Sequence, residues 1–476
     1  FKESNRFKES EIYWKQAIKS NPLFAEAYFN LANIQGLLNN HSESLVNYKY
    51  AYSLKPDLDY LLGSLIHAKM HLCIWEDLSS DIERLIEKIK NTEKVVFPFS
   101  LLSLIDKPDI HKKAAEINSN NKFPKSDIFP KILPYHNHKK IRIGYFSPDF
   151  KNHPVSSLTA ELYEIHDRNK FEIHAFSFGP NTNDEFNIRV KAGVDYFHDI
   201  QTMSNHEVVK LARSLEIDIG IDLAGFTSQS RTKIFAMSAA PIQVNYLGYP
   251  GTMATDYIDY LIADHTLILN EKKNCYSEKI VFMPNSYQPN VSKNDIFEAS
   301  SSRQKVGLPD DKFVFCCFNN QYKITPITFA SWMKILKATD NSVLWIYAQS
   351  INAIENLKKE ANKFGINEKR LIFAQRISHK EHLKRTKLAD LFIDTLPFNA
   401  HTTASDALKM GLPVLTCIGN SFQSRVAASL LKAVNLPEMI TSTQKEYEKL
   451  AIQLAKDPTK LKIIKDELVD NLATAP

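Results

Sequence analysis

The sequence is poor in cysteine and lacks the cysteine spacings that build a metal or disulfide scaffold. Its 476 residues contain five cysteines, none of which form a Cys-x-x-Cys pair. They are Cys73, Cys275, Cys316, Cys317 and Cys417. Sparse cysteines without a paired framework are typical of a reducing compartment and argue against a zinc or disulfide scaffold. We therefore interpret all five as structural.

Long apolar runs are also absent. The sequence has no run of about eighteen apolar residues, the length that a membrane span needs, and its first residues lack the apolar core of a signal peptide. These features predict a cytoplasmic protein without a membrane partner. Because the chain starts at Phe1 instead of Met and stops at Pro476, we expect both ends to have been cut from a longer chain.

The sequence has only a small excess of positive charge. The formal net charge is +5, with 24% charged and 44% hydrophobic residues, and the basic residues are interleaved with acidic ones. This composition is ordinary for a soluble globular protein and predicts no nucleic-acid partner. The length exceeds what a single core supports, so we expect two or three domains.

The first part of the chain carries a repeat. Asn21-Pro22 and Lys55-Pro56 lie 34 positions apart, which is the tetratricopeptide period. Counted from Ala25, the large and small side chains that pack the two helices of a repeat fall at Tyr28, Leu31, Ala32, Ser44, Tyr48 and Ala51. We predict tetratricopeptide repeats and a helical docking region over residues 1–120, with Trp75 and residues 97–102 as docking contacts, and a linker over 121–140.

From residue 141 onward, strands and helices alternate. The predicted strands include 141–146, 171–177, 217–223, 313–318, 342–347 and 370–374. Such alternation predicts an α/β fold with two doubly wound, Rossmann-like domains, at 141–300 and 301–476. Ligands bind where parallel strands end, so the loops at 147–156, 222–227 and 247–252 are expected at one rim. This layout suits a GT-B glycosyltransferase, a two-domain dehydrogenase or a binding protein.

Residues 388–416 read as a strand, a turn, a helix and a second strand. The helix opens on His401, Thr402 and Thr403, and a helix amino terminus attracts phosphate. Asp406, one turn further on, is placed to hydrogen-bond a sugar hydroxyl. No glycine-rich phosphate loop is present here. The alternative is that the two threonines only cap a structural helix.

Two candidates lie on loops of the first α/β domain. His153 follows the first strand and suits a general base or a group that positions an acceptor, although a histidine before proline is also an ordinary turn residue. Gly248 belongs to the segment 247–252, which holds two glycines and a proline. That composition allows close backbone approach to a ligand, or simply makes a turn.

The second α/β domain offers a cation and a polar helix face. Lys323 follows a strand and is placed to neutralise charge on a departing diphosphate, whereas most lysines are solvated surface residues. His379, His382 and Arg385 recur at every third position and so share a helix face. No carboxylate or cysteine completes a metal set with them, and we favour packing against a nucleobase over a metal site.

Seven motifs together resemble the O-linked N-acetylglucosamine transferase and SPINDLY family, in order and spacing. They are Asn152-His-Pro and the segments 240–252, 276–279, 318–324, 388–395, 401–403 and 424–429. The resemblance implies a GT-B fold preceded by tetratricopeptide repeats. It also implies inverting transfer of a sugar from a nucleotide diphosphate to Ser or Thr of a protein, without a metal or other cofactor.

The resemblance also assigns roles. It makes His153 the base or acceptor-positioning group and Lys323 the lysine on the diphosphate, and it places the nucleotide sugar on Gly248, Asn320, His379, His382, Arg385, His401, Thr402, Thr403 and Asp406. Asn320 and His379 depart from the animal enzymes, which have glutamine and lysine there. UDP-N-acetylglucosamine is therefore the default donor and GDP-fucose the alternative. An inactive repeat adaptor and a nucleotide-sugar epimerase are the rival functions.

Overall fold

The computed structural model describes residues 7–136, 138–291 and 302–475. They form two compact units. The described residues of the first unit are 88–99 and 107–291, and those of the second unit are 7–87, 100–106 and 302–475. The repeat-like helices therefore belong to the same unit as the carboxyl-terminal α/β part of the chain.

The amino-terminal part is helical. Its helices are α1 (Phe7–Ser20), α2 (Ala25–Leu37), α3 (His41–Leu54), α4 (Leu61–His71), α5 (Leu78–Lys90), α6 (Pro98–Leu101) and α7 (Pro108–Lys122). In the pair α2 and α3, Ala32 and Ala51 are fully buried, and the Ser44 hydroxyl donates to the Ala32 carbonyl at 2.8 Å. Small side chains thus bring the two helices together. The helix pair is confirmed, while its tetratricopeptide assignment stays a prediction.

The second unit contains Trp75 and residues 100–102 of the predicted docking contacts, while residues 97–99 belong to the first unit. The Trp75 ring lies 5.4 Å from the ring of Phe329, and the Asn356 amide donates to the Leu72 carbonyl at 2.8 Å. Leu101 and Leu102 are fully buried. The helical region therefore packs against the α/β part of its unit through apolar side chains and through a hydrogen bond to the Leu72 carbonyl.

The first unit is built on a seven-stranded parallel sheet in the order β3-β2-β1-β4-β5-β6-β7. Its strands are β1 (Ile141–Ser147), β2 (Phe171–Ser177), β3 (Tyr196–Asp199), β4 (Ile219–Asp222), β5 (Ile242–Asn245), β6 (Tyr260–Asp264) and β7 (Lys279–Met283), joined by helices that include α8 (Pro154–Ile165), α9 (Glu185–Gly193), α10 (Asn205–Ser214) and α11 (Lys233–Ala236). Since β1, β4 and β5 are neighbours and parallel, the three predicted rim loops do follow adjacent strand ends.

The second unit contains a six-stranded parallel sheet in the order β10-β9-β8-β11-β12-β13. Its strands are β8 (Phe313–Cys317), β9 (Ser342–Tyr347), β10 (Leu371–Ala374), β11 (Leu391–Ile393), β12 (Val414–Cys417) and β13 (Ile440–Thr441). The helices are α12 (Pro326–Ala338), α13 (Ile351–Lys363), α14 (His379–Thr386), α15 (Thr402–Lys409), α16 (Val426–Ala433), α17 (Gln444–Lys456) and α18 (Pro458–Leu472). The predicted pair of doubly wound sheets is confirmed.

The described residues also show the state of the cysteines and the character of the helices. All five cysteines are free thiols, and four of them are buried. None of the helices in the described ranges is both long enough and apolar enough to cross a membrane.

Candidate functional site

Asp394 organises the carboxyl ends of β8 and β11. Its Oδ1 accepts hydrogen bonds from the backbone N–H groups of Thr395 at 2.7 Å and Ala400 at 2.6 Å and from Asn319 Nδ2 at 3.1 Å. Its Oδ2 accepts from the Thr416 hydroxyl at 2.7 Å. Burial raises the pKa of Asp394 to about 6, against the lowering effect of these donors. A single buried carboxylate therefore fixes the turn that leads into α15.

Lys323 lies at the same edge of the sheet. It ends a 3₁₀ turn that follows β8. Its Nζ donates to the Asn399 carbonyl at 3.0 Å and lies 3.7 Å from the centroid of the Phe398 ring. Burial lowers the pKa of Lys323 to about 8, while the nearby Asp394 carboxylate opposes that shift. The charge of Asp394 thus offsets only part of the cost of burying the Lys323 ammonium.

The start of α15 is held from outside the helix. Thr402 is its first residue. The side chain of the N-cap residue, His401, makes no capping hydrogen bond to the helix. The Thr403 hydroxyl donates to Asn319 Oδ1 at 2.5 Å, so this threonine connects α15 to the segment after β8. The capping role considered for the two threonines is therefore not what Thr403 performs.

His401 faces the lysine. Its Nε2 lies 3.2 Å from the Gln423 carbonyl, and a carbonyl can only accept, so Nε2 carries the hydrogen. Its ring lies 5.0 Å from the Phe398 ring. Burial, followed by the charge of Lys323, holds the pKa of His401 well below its usual range. The imidazole is therefore neutral at pH 7 and leaves Lys323 as the cation at this place.

The helix α14 carries the predicted histidine and arginine face. His379 Nε2 lies 3.2 Å from both carboxylate oxygens of Asp406, which joins α14 to α15. Arg385 Nε donates to His382 Nδ1 at 3.1 Å and its Nη1 to the Gln375 carbonyl at 2.6 Å. These contacts place the predicted side chains around one surface of the second unit.

Arg385 is buried, and its nucleobase contact stays a prediction. It is 7% exposed, and its guanidinium packs 4.9 Å from the Phe318 ring and 5.8 Å from the Trp345 ring. Burial lowers the pKa of Arg385 to about 10 and that of His382 to about 4. Arg385 thus orients His382 from behind, and His379, with 40% of its side chain exposed, is the open member of the face.

Four buried amide oxygens around this site accept no hydrogen bond from the residues that the structure describes. They belong to Asn320, Gln321, Asn399 and Gln423. Buried acceptors are normally paired, so unpaired ones beside Lys323 suit the hydroxyl groups of a ligand or ordered water. Asn320 was predicted from the sequence; the other three, with Asp394 and Asn319, were missed.

His153 belongs to the first unit, where it is the N-cap residue of α8. Its Nδ1 accepts the backbone N–H of Val155 at 3.3 Å, and the same atom lies 3.5 Å from Asp149 Oδ2. Burial lowers the pKa of His153, although Asp149 acts to raise it. A neutral ring that accepts from Val155 at Nδ1 carries its hydrogen on Nε2, and it can donate to a hydroxyl from that nitrogen.

Gly248 also belongs to the first unit, after β5. A Cβ there would lie 2.0 Å from the Leu223 carbonyl oxygen and 3.2 Å from Ala224 Cα. The glycine thus lets the loop after β5 touch the loop after β4. Close backbone approach was predicted at this position, and the neighbour found is another loop of the same rim.

In the described ranges, no group of three or more His, Cys, Asp or Glu side chains is arranged to hold a metal ion. His379 and His382 lie on one helix, as predicted, but His379 pairs with Asp406 and His382 with Arg385.

Comparison with known proteins identifies relatives over most of the chain. A family model described as Glycosyl transferase family 41 matches residues 116–291 and 290–476. A protein of Arabidopsis thaliana, named a probable UDP-N-acetylglucosamine–peptide N-acetylglucosaminyltransferase SEC, is 35% identical over 434 residues, covering 87% of this chain and 44% of the relative. The enzyme of Caenorhabditis elegans with the same transferase name is 27% identical over 433 residues, covering 67% of this chain and 38% of the relative.

A solved structure is similar along almost the whole chain. It is a mutant O-GlcNAc transferase of Thermobaculum terrenum, 25% identical, with a TM-score of 0.82, covering 99% of this chain and 90% of that one. This likeness confirms the predicted GT-B fold class. The chain spans less than half the length of the curated relatives named above.

Proposed function

The chain belongs to glycosyl transferase family 41, and from that premise we propose that it is an inverting protein O-glycosyltransferase. The donor is UDP-N-acetylglucosamine, and the acceptor is a Ser or Thr hydroxyl of a protein. The observation that carries the proposal is the buried Lys323 ammonium, which lies with His401 and the start of α15 at one edge of the second sheet.

In the proposed reaction the acceptor hydroxyl oxygen forms a bond to the anomeric carbon as the bond from that carbon to the diphosphate breaks. The sugar inverts, UDP leaves with the bonding electron pair, and the hydroxyl proton is lost to a basic group or to solvent. Negative charge therefore grows on the diphosphate. Lys323 and the positive end of α15 stabilise that charge, so the proposal needs no metal cofactor.

The other predicted residues of the second unit bind the nucleotide. His379 and His382 present imidazole edges to the base, Asp406 accepts from a ribose hydroxyl, and Thr402 lies at the phosphates. Asn320 offers a buried acceptor oxygen without a partner among the described residues. Arg385 supports His382 by the hydrogen bond to its Nδ1.

We assign His153 to the acceptor side of the reaction. Its Nδ1 lone pair is taken up by the Val155 N–H, so the free nitrogen is the one that bears hydrogen. A ring in that state donates to the acceptor and orients it, which favours the positioning role over the role of general base. Gly248 contributes indirectly, because it allows the loops after β4 and β5 to stay in contact.

The protein acceptors form the remaining part of the proposal. The helices α1 to α3 would select them, with Asn30 on α2 as one polar contact, and the reaction would take place in the cytoplasm. The free, mostly buried thiols suit a reducing compartment. Replacing Asn30 with Ala should weaken modification of whole proteins more than that of a short Ser/Thr peptide; equal effects on both would remove α2 from acceptor selection.

Donor identity is tested by ligand-dependent melting of the purified chain. A ligand at 100 times its dissociation constant adds about 2.7 kcal/mol to stability. UDP-N-acetylglucosamine should raise the melting temperature more than GDP-fucose, and mass spectrometry should find one added N-acetylhexosamine on a Ser/Thr peptide, with or without EDTA. A larger effect of GDP-fucose would replace the donor, activity that EDTA abolishes and Mg²⁺ restores would overturn the metal-free mechanism, and no response to either nucleotide sugar would overturn the function.

A further inference from the structure

Asp106 binds the turn at 419–424 with both carboxylate oxygens. Oδ1 accepts from the Ser421 N–H and the Ser424 hydroxyl, each at 2.8 Å. Oδ2 accepts from the Asn420 N–H at 2.8 Å and from the Asn420 side-chain amide at 3.2 Å. Asp106 comes from the helical part of the chain, and the turn lies between β12 and α16, so one side chain connects two distant segments of the second unit.

Gly419 leaves room for this contact. A Cβ at position 419 would lie 2.4 Å from Asp106 Oδ2 and 2.4 Å from the Ser424 hydroxyl oxygen. A nonbonded carbon atom cannot lie so close to either oxygen. The turn therefore accepts the carboxylate only because residue 419 has no side chain.

Gln423, inside the same turn, joins it to the donor side chains. Its side-chain amide donates to the Leu102 carbonyl at 3.1 Å. Its own backbone carbonyl accepts from His401 Nε2 at 3.2 Å and from the Asn399 N–H at 3.0 Å. The Asn399 carbonyl in turn accepts from Lys323. A continuous set of hydrogen bonds thus leads from the Asp106 turn to His401 and to Lys323.

We propose that Asp106 is a positioning residue of the donor site, acting through the 419–424 turn and the Gln423 carbonyl on His401 and Lys323. The proposal rests on the function proposed above. Asp106 touches neither donor nor acceptor. Its four hydrogen bonds hold the turn, and the turn holds the acceptor oxygen that fixes the imidazole and the Asn399 peptide.

A purely structural role for Asp106 makes a different prediction. If the carboxylate only attached residues 100–106 to the turn, its loss would lower stability and the fraction of folded protein, and the folded molecules would bind donor normally. If it positions the donor site, folded molecules bind donor more weakly because the side chains that contact the donor are displaced, and a displacement of about 1 Å can also reduce the rate about a hundredfold.

The experiment compares Asp106→Ala and Asp106→Asn with Asp109→Ala, which removes an exposed carboxylate three positions further along. Calorimetry with UDP gives donor affinity, steady-state kinetics give kcat and the KM of donor and peptide, and thermal melting gives the folded fraction. We expect Asp106→Ala to weaken UDP binding about tenfold and to reduce kcat, with the peptide KM unchanged. Asp109→Ala should match the parent.

A double-mutant cycle with Lys323→Ala shows whether the effect passes through the site. Coupled residues give non-additive changes, whereas independent ones add. In the Lys323→Ala background, Asp106→Ala should change UDP affinity by less than about threefold. Gly419→Ala, which displaces Asp106 without removing any donor contact, should weaken UDP binding in the same direction and serves as the second variant if Asp106→Ala does not fold.

The outcomes separate the two proposals. A parent protein that binds neither UDP nor GDP overturns the proposed function, and the positioning role falls with it. A parent that binds UDP, with folded Asp106 variants that bind it equally well or with additive changes in the cycle, overturns the positioning role alone. Weaker binding that is coupled to Lys323 supports it.

Discussion

The Lys323 ammonium donates to the backbone carbonyl of Asn399 at 3.0 Å. A carbonyl is a weaker partner for a buried cation than a carboxylate at the same distance. The carboxylate whose charge acts on Lys323, Asp394, already accepts hydrogen bonds from four donors. The lysine therefore keeps part of its desolvation cost, which is why its pKa falls to about 8. A diphosphate would supply the missing anion.

That relationship predicts a pH-dependent donor affinity. Only the protonated lysine attracts the diphosphate, and the pKa of Lys323 in the free protein is about 8. The dissociation constant of UDP should thus be flat below pH 8 and rise up to about tenfold per pH unit above it. Calorimetry between pH 7 and 9 measures this change, and it should also detect proton uptake on binding.

Lys323→Arg is the matched control for the pH profile, since a guanidinium stays protonated throughout this range. Its UDP affinity should not change with pH between 7 and 9, whatever its absolute value. A parent profile as flat as that of the arginine variant would show that Lys323 does not bind the diphosphate as the titrating group.

A second prediction concerns Gly248. Adding a methyl group would place Cβ 2.0 Å from the Leu223 carbonyl oxygen, and two backbone segments would have to separate. Gly248→Ala should therefore destabilise the protein by on the order of 3 kcal/mol, at the high end of overpacking substitutions. Thermal melting checks this, with UDP binding measured at a temperature where the variant is folded.

Gly36→Ala is the comparison for that variant. Gly36 lies within α2, and a Cβ there would meet the Ser44 hydroxyl oxygen at an ordinary 3.6 Å. Replacing a glycine inside a helix should stabilise by roughly 0.5 to 1 kcal/mol. If Gly248→Ala melts like the parent, the close approach of the two rim loops does not depend on this glycine.

A third prediction comes from a histidine cluster beside the Lys323 turn. His67 and His71 lie with their Nε2 atoms 3.2 Å apart, His41 stacks on His71 at 4.0 Å, and the Tyr322 ring lies about 5 Å from both of the paired rings. Burial lowers the pKa of His67 to about 4 and also lowers those of His41 and His71. The folded protein thus keeps this cluster neutral.

The buried histidines should make the folded protein less stable as the pH falls. Below pH 6.5 the unfolded chain takes up protons on these histidines while the folded protein does not, so stability should fall between pH 6.5 and about 4. Each pKa unit corresponds to about 1.4 kcal/mol. His67→Gln should therefore reduce the drop in melting temperature between pH 7 and 5, and the exposed His136→Gln is the control. An unchanged drop in the His67 variant would contradict the prediction.

The sequence was informative where a residue's role follows from its place on a regular element. The strand, turn, helix and strand at 388–416 were predicted in the correct order, because an apolar strand and a helix bounded by Gly411 have local causes. The shared face of His379, His382 and Arg385 followed from helical spacing. Lys323 was placed because polar residues follow a buried strand.

Other parts of the site depend on contacts between segments far apart in sequence. Asp394 had no predicted role in the sequence, and only the fold brings Asn319 and Thr416 to it. Asp106 and Gln423 carried no local signal, since their partners lie about 300 residues away along the chain. Helical spacing predicts that Arg385 shares a face with His379 and His382, but it does not show that Arg385 is the buried member of that face.

The last prediction separates Lys323 from His153. If Lys323 stabilises charge that grows on the diphosphate as the glycosidic bond breaks, its contribution is larger in the transition state than in the ground state. Lys323→Ala should then raise the activation free energy by about 3 to 4 kcal/mol, which reduces turnover roughly a hundred- to a thousandfold. It should reduce donor affinity by a smaller factor. His153→Ala should leave UDP affinity nearly unchanged while transfer falls, because the hydrogen on Nε2 of His153 acts on the acceptor.

His153→Gln, which keeps a side-chain N–H donor, should restore part of the transfer if the role of His153 is positioning. Calorimetry with UDP and product formation with a Ser/Thr peptide measure both quantities for each variant. Normal saturated turnover in Lys323→Ala with much weaker donor binding would make the lysine a uniform binder of the donor, and weakened UDP binding in His153→Ala would move that histidine to the donor side.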